Sequence, residues 1–517
     1  MPDYYLNISR ASDLADKKER TIYRFLEILP GFLAWATVIL AVFFSWARPV
    51  WAAFFIIIFD SYWLFKVVFL SLHLRSSFWK MKKNLSADWL NILKKDPKTA
   101  GWENIYHLVI FPTYKESETV VDLSLEAVKN SNYPKDKIIV VLGLEERAGQ
   151  AAQKIGEKMR EKYDGVFYQF LLTRHPANLE GEIAGKGSNE TWAAQEAKKR
   201  IVDPFRIPYE NILVSSFDAD TQIFPDYFGI LTYRYLKNAK TERVSYQPIP
   251  IYNNNIWDAP NFSRVVATSG TFWQMMQQER PERLSSFSSH AIPFISLVKM
   301  DFWQTNIVSE DSRIFWRALF FYDGNFSVEP LHYPVSMDAP LADKFYQTAV
   351  NVYKQQRRWG WGVENAPYII FGFFKNKKIP FLTKLYFSFN QLEGFWSWST
   401  NALIIYFLGW LPLFLGGLKF NQTILAKSLP QITKILMTLA LVGALSSAIY
   451  STRLLPEKKD KSIWQYFSVF LQWILLPLTI MIFGAIPGLE AQTRLMLGRY
   501  MGFWVTPKIR KNENYSK

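Results

Sequence analysis

Residues 212–220 read ILVSSFDAD, a short apolar run that stops on two carboxylates, Asp218 and Asp220. A run bounded in this way reads as a buried strand followed by a turn. Three similar runs precede it, 107–112 (HLVIFP), 137–142 (KIIVVL) and 166–172 (VFYQFLL), with helical patterns at 118–130, 149–162 and 189–201 between them. Such alternation predicts an α/β domain with a largely parallel sheet, which takes ligands at the carboxyl ends of its strands. Asp218 and Asp220 stand at one such end.

Outward from this block the chain turns apolar on both sides. Residues 30–46 and 50–72 precede it, and 399–418, 431–450 and 464–486 follow it. A bilayer core takes about 20 apolar residues per helix, so the α/β domain is expected to be inserted between transmembrane helices of a multi-pass protein. The chain then divides into an N-terminal segment 1–29, a transmembrane hairpin 30–72, a basic linker 73–104 and the α/β domain 105–345. Amphipathic interface helices 346–398, a transmembrane region 399–486 and a basic tail 487–517 follow. Asp60 and Lys66 fall inside the second apolar run. A charge there marks either a functional position or a polar contact near the helix end.

The net charge of +15 fits an anionic membrane surface or an anionic substrate. No nucleic-acid-binding motif accompanies it, so no nucleic-acid partner is expected. The absence of Cys excludes disulfides and thiolate ligands, and the five His lack metal-ligand spacing. Loop 451–463 is rich in Arg and Lys, which places it and the α/β domain in the cytoplasm, beneath a plasma (inner) membrane. The tail carries Arg494, Arg499, Lys508, Arg510 and Lys511, which favour the same side. Three full crossings after the domain would put the tail outside. The expectation is therefore that 464–486 breaks at Pro477 or re-enters, or that a further crossing lies in 379–398.

Three motifs in one order carry chemistry. Asp218-Ala219-Asp220 can hold a Mg²⁺ or Mn²⁺ ion, which takes one or two carboxylates and fills its shell with phosphate oxygens and water. Ser309-Glu310-Asp311 opens a helix-like run, with Ser309 expected as its N-cap. Either carboxylate can take a proton from an acceptor hydroxyl, because adjacent carboxylates repel and raise one pKa. Gln355, Arg358 and Trp359 share one face of a helix by their spacing. Arg358 can pair with a diphosphate, and Trp359 offers a flat surface to a sugar ring. Each motif also has a bland reading, as a solvated turn, a helix N-terminus and an interfacial helix.

Taken together, 105–365 resembles the membrane-embedded family 2 glycosyltransferases, which include cellulose, chitin and hyaluronan synthases. Ile110-Phe111-Pro112-Thr113-Tyr114-Lys115-Glu116 is similar to the family's first-strand motif at the nucleotide pocket. Ala184-Gly185-Lys186-Gly187-Ser188-Asn189 resembles the segment whose Lys contacts the donor diphosphate. Ser269-Gly270-Thr271 looks like the acceptor-side segment, Ser309-Glu310-Asp311 like the T-E-D motif after Trp303, and 355–359 like Q-x-x-R-W. Asp338-Ala339-Pro340 also has a counterpart. Phe503-Trp504-Val505-Thr506-Pro507-Lys508 resembles the F-x-V-T-x-K gating loop of cellulose synthases. The second strand departs from the family, ending in Glu145 where an Asp binds the base.

The resemblance implies a GT-A-type domain that binds a nucleotide-sugar donor, a UDP-sugar as first choice. It assigns donor contacts to Pro112, Thr113, Glu116, Glu145, Lys186, Asp218, Gln355, Arg358, Trp359, Thr506 and Lys508. Gly270, Thr271, Trp303 and Trp359 would bind the acceptor, and Asp218 and Asp220 the metal. Asp311, with Glu310 beside it, would be catalytic. The implied activity is inverting, processive synthesis of a β-linked polysaccharide, with membrane lipids and accessory export subunits as partners. The alternatives are a non-processive transferase with a lipid acceptor and an inactive subunit of a membrane assembly.

Overall fold

The computed structural model describes residues 4–240, 242–456, 463–507 and 510. Among these, eight strands form one sheet: β1 (Tyr106–Pro112), β2 (Ile138–Glu145), β3 (Gln169–His175), β4 (Ile212–Ser216), β5 (Gln222–Ile223), β6 (Val244–Ile251), β7 (Ala291–Pro293) and β8 (Ser327–Ser336). Their order is β3-β2-β1-β4-β7-β6-β8-β5. The first four pair in parallel, and β7 lies antiparallel to both β4 and β6. The sheet is therefore mixed rather than largely parallel: β5 also runs antiparallel to β8, while β6 and β8 pair in parallel.

Both faces of the parallel half are covered. Leu108, Ile110, Ile139, Val141 and Val214 pack on one side with Ala193, Ala194 and Ala197 of the helix Lys186–Ala197. Val109, Phe111, Val140, Leu142 and Leu213 pack on the other with Leu125 and Tyr227. A strand buried on both faces reads as a continuous apolar run, the pattern of 107–112 and 212–217. All eight residues of β2 are buried.

Among the described residues, four helical stretches are long and apolar enough to cross a membrane: Lys17–Ala47, Pro49–Leu85, Ile424–Leu454 and Ile463–Met496. A fifth arises if Phe381–Tyr406 and Leu408–Leu415, bent by 45°, count as one span. Pro49 starts the second helix at a position where its missing N–H costs nothing. That helix continues to Leu85, well into the stretch read as a linker. The boundary drawn between 398 and 399 falls inside the helix Phe381–Tyr406. Its first turns touch the domain through Phe387, against Phe315 and Trp316, and its last turns lie near Ile56.

The stretch Ile463–Met496 differs from the others. It is broken by a 3₁₀ turn at Gln472–Leu475, by Pro477, and by a π turn at Met481–Ala485. It runs along helices of the domain rather than away from them. Gln472 accepts from Arg264 at 2.8 Å, Phe483 stacks on Phe262, and Glu490 pairs with Arg357 at 2.7 Å. Both of its ends meet the domain: Trp257 donates to Pro456 O just before it, and Leu495 packs with Trp361.

Candidate active site

The carboxyl ends of β1, β2 and β4 open onto one cavity of ≈ 1070 Å³. At the end of β1, Thr113 donates from both its N–H (2.7 Å) and its hydroxyl (3.1 Å) to Gly143 O. Asn189 Nδ2 bonds the same carbonyl at 2.9 Å, which ties β1, β2 and the Lys186 helix together. Glu116 accepts from Tyr114 N at 2.7 Å. Glu145, at the end of β2, is buried and pairs with Arg147, whose guanidinium lies 4.4 Å over the Tyr114 ring. Pro112, Thr113, Glu116 and Glu145 all line the cavity.

Lys186 is the first residue of its helix and is buried between two of the sequence motifs. Its ammonium is 2.9 Å from Asp218 Oδ1 and 2.7 Å from Asp311 Oδ1. Burial opposes its charge, yet Asp218 and Asp311 outweigh that and hold its pKa well above the ordinary value. Asp218 Oδ2 accepts from Ser288 Oγ at 2.8 Å, and Asp220 Oδ2 from Asp338 N at 2.9 Å. Asp338 itself forms a buried pair with Arg510 at 2.7 Å.

Glu310 and Asp311 open the helix Glu310–Phe321. Ser309 does not cap it as expected; its hydroxyl donates to Glu364 Oε1 at 2.7 Å. Glu364 also takes the N–H groups of Val308 and Ser309, so the turn is held from the next helix instead of by a local cap. Glu310 is buried against Gly187, where a Cβ would stand 2.9 Å from Glu310 Cβ. Burial, then the neighbouring Asp311 charge, raises its pKa well above the carboxylate range. Glu190, beneath Lys186 and bonded by Ser216 Oγ, is pushed up by burial to about 8.

The helix Phe345–Gly360 brings Gln355, Arg358 and Trp359 to the same cavity. Trp359 meets Tyr252 and Phe287, with ring centroids 6.1 and 5.8 Å apart. Gly270 faces this aromatic corner, its Cβ direction 3.5 Å from Tyr252 and 3.8 Å from Trp359. Two residues expected at the acceptor point elsewhere. Thr271 is buried and donates to Pro250 O at 2.9 Å, and Trp303 is buried and donates to His290 Nε2 at 3.3 Å. Their side chains serve packing behind the wall, because each needs a hydrogen-bond partner once buried.

The tail enters the same space. The Phe503 ring stands where a Cβ on Gly185 would approach it to 2.8 Å, and Arg358 lies 4.9 Å over that ring. Phe503, Val505, Thr506 and Pro507 line the cavity. Lys508 lies outside the described residues.

Sequence reasoning missed the loop 285–290, which touches all three motifs. Ser286 Oγ donates to Asp311 O at 2.7 Å, Ser288 holds Asp218, Ser289 bonds Thr221, and Phe287 packs on Trp359. Ser289 adopts the left-handed region (φ 64°), a strained choice for a residue with a side chain. The one available signal was the short run 291–293 after a serine cluster, which becomes β7 beside β4.

Asp60 and Lys66 line the far part of the cavity, between the apolar helices. Lys66 pairs with Glu393 at 2.9 Å and lies 4.4 Å over Trp63, and Asp60 Oδ2 accepts from Thr433 at 3.3 Å.

No protein-family model matches the chain, and no curated protein matches it. Solved structures similar to it are glycosyltransferases. One is the mannosyltransferase PcManGT from Pyrobaculum calidifontis in complex with GDP-Man and Mn²⁺, 12% identical over 74% of this chain and 98% of that one, with TM-score 0.42. Another is S. aureus TarS 1-349 in complex with UDP-GlcNAc, 12% identical over 77% and 93%, with TM-score 0.36. GalNAc-T7 with UDP, GalNAc and Mn²⁺ is 12% identical over 51% and 52%, with TM-score 0.32. All three scores are below 0.5, and the functional reading rests on this chain's own residues.

Proposed function

We propose that the chain is a membrane-bound inverting glycosyltransferase of the family 2 type, with a nucleotide-sugar donor and a processive, β-linked polysaccharide product. One observation carries this reading: a single cavity joins Asp218, Asp220, Lys186 and Asp311 to the space between the apolar helices, where Trp63, Asn390, Trp398 and Asn401 line it. A glycan lengthened at Asp311 has a polar and aromatic path away from the site. The order of motifs along the chain supports the same reading.

In the proposed reaction the acceptor's sugar ring stacks on Trp359 and its hydroxyl attacks the anomeric carbon. A carbon–oxygen bond forms to the acceptor as the bond to the diphosphate breaks, with the electron pair leaving on the nucleoside diphosphate. Asp311 takes the hydroxyl proton. Lys186 and Arg358 stabilise the charge on the leaving group. Glu145, with Arg147 and Tyr114, would hold the base.

Asp218 and Asp220 fit a Mg²⁺ or Mn²⁺ ion, being hard oxygen donors on one turn of the cavity wall. Among the described residues no cluster of three or more His, Asp or Glu surrounds them, so phosphate and water oxygens would complete the shell. Such an ion neutralises charge on the departing diphosphate.

For topology, Lys17–Ala47 and Pro49–Leu85 would cross out and back, and Phe381–Tyr406 with Ile424–Leu454 likewise. Ile463–Met496 would lie along the membrane face of the domain. Domain and tail then share the cytoplasmic side. A second reading, transfer to a lipid, draws on the apolar stretch of the same cavity at Val67, Leu70, Leu436 and Ile474.

The decisive experiment uses purified full-length protein in detergent with a panel of UDP- and GDP-sugars, with Mg²⁺, Mn²⁺ or EDTA. Nucleotide release that needs the metal and yields a long saccharide supports the reading. A single sugar on extracted lipid favours the second reading, and no release with any donor overturns both.

A further inference from the structure

We propose that His290 is a positioning residue for Asp311, held in one tautomer by Trp303, so that proton transfer falls to Asp311 Oδ2. This rests on the reading of Asp311 as the base.

His290 is fully buried behind the catalytic wall. Trp303 Nε1 is a donor only, and it reaches His290 Nε2 at 3.3 Å. Nε2 therefore carries the lone pair, and the ring proton sits on Nδ1. The neighbours of Nδ1 agree with this: Phe287 O at 3.1 Å and Asp311 Oδ1 at 3.6 Å are both acceptors. Burial works in the same direction, lowering the imidazole pKa to about 4 and keeping the ring neutral. The ring thus gives its Nδ1–H to Phe287 O and stands as a fixed neutral dipole 3.6 Å from Asp311 Oδ1, an electrostatic contact beyond hydrogen-bond reach. Lys186 already donates to this carboxylate, and a second cation there would depress further the basicity that a general base needs.

The remaining contacts close a ring around the base. Thr191 Oγ1, on the Lys186 helix, donates to Trp303 O at 3.1 Å. Lys186 donates to Asp311 Oδ1, the oxygen His290 also faces. Ser286 fixes the Asp311 backbone. Among the described residues no protein donor lies within hydrogen-bond distance of Oδ2, which is left to receive the acceptor's proton.

The test uses full-length enzyme in detergent with a donor that supports turnover, measuring kcat, donor KM and Tm for isosteric variants. His290→Leu removes the N–H and His290→Asn retains one near the Nδ1 position. The expected result is kcat lowered roughly 10-fold in His290→Leu, less than the ~10²–10⁴-fold that the general base itself supplies, with donor KM within about twofold and recovery in His290→Asn. Trp303→Phe, which keeps the ring and loses the donor, should lower kcat in the same direction by less. If His290→Leu shifts donor KM or Tm in step with kcat, or His290→Asn is no better than Leu, the residue is structural and the proposal fails. Should either His290 variant fail to fold, Trp303→Phe decides by the same split of kcat from KM and Tm. Full turnover in Asp311→Asn would overturn the underlying reading instead.

Discussion

The Lys186 ammonium donates to Asp311 Oδ1 at 2.7 Å while standing 2.9 Å from Asp218 Oδ1. One cation thus bridges the carboxylate assigned to the metal and the carboxylate assigned to the proton. In the proposed reaction an entering diphosphate would offer Lys186 a third anionic partner and compete for it. Donor binding and release of the base would then be coupled through one side chain.

Lys186→Met is expected to weaken donor binding roughly 10- to 150-fold, the loss of a charged hydrogen bond worth ~1.5–3 kcal/mol. Isothermal titration with a non-hydrolysable donor analogue measures it. Unchanged affinity would remove Lys186 from the donor site.

The two acidic residues of 309–311 should separate cleanly. Burial and the Asp311 charge raise the Glu310 pKa well above its ordinary value, so the neutral isostere in Glu310→Gln is the milder change. Turnover should fall less than about threefold, whereas Asp311→Asn should lose ~10²–10⁴-fold in kcat with donor affinity retained. The reverse ranking would assign the base to Glu310.

Glu190 gives a pH signature of stability. Burial lifts its pKa from 4.5 to about 8 in the folded chain, so the folded state holds this proton more tightly. The stability it lends is full below about 4.5 and is lost as pH rises through about 8. Tm should therefore decline between pH 5 and 9, and Glu190→Gln should flatten the decline. An unaltered slope would trace the decline to other groups.

The parallel half of the fold was legible because strands buried on both faces are unbroken apolar runs, as in Ile138–Glu145. The other half was not. β6 and β8 carry prolines (Pro248, Pro250, Pro330 and Pro334), which demote a strand pattern. β5 and β7 are two and three residues long, too short for any period. In the site, residues at strand ends and helix starts could be placed by local pattern, as Asp218 and Asp311 were. His290, Ser288 and Asp338 act through contacts distant in sequence, and Trp303 looked like a ligand residue because burial leaves no mark on one aromatic. The segment 464–486 has the length of a span; Pro477 hints at a break, and the 3₁₀ and π turns and the packing on Arg264 and Phe262 distinguish it in the fold.

The tail joins topology to mechanism. Phe503 fills the space over Gly185 and under Arg358, so under the proposed function the tail would cover the donor end of the cavity. A loop closed over a bound nucleotide excludes water and adds contacts. Ending the chain at Gly502 should leave insertion and folding intact while weakening donor binding and slowing transfer; Phe503→Ala should do the same to a smaller degree. Gly185→Val should mimic the truncation, because its side chain would displace the ring. The tail must also lie on the side of the domain. With no native Cys, Ser516→Cys gives a single thiol to probe. An impermeant maleimide should label it only after the cells are permeabilised. Labelling in intact cells would place the tail outside, make 464–486 an ordinary crossing, and remove the tail from the donor site.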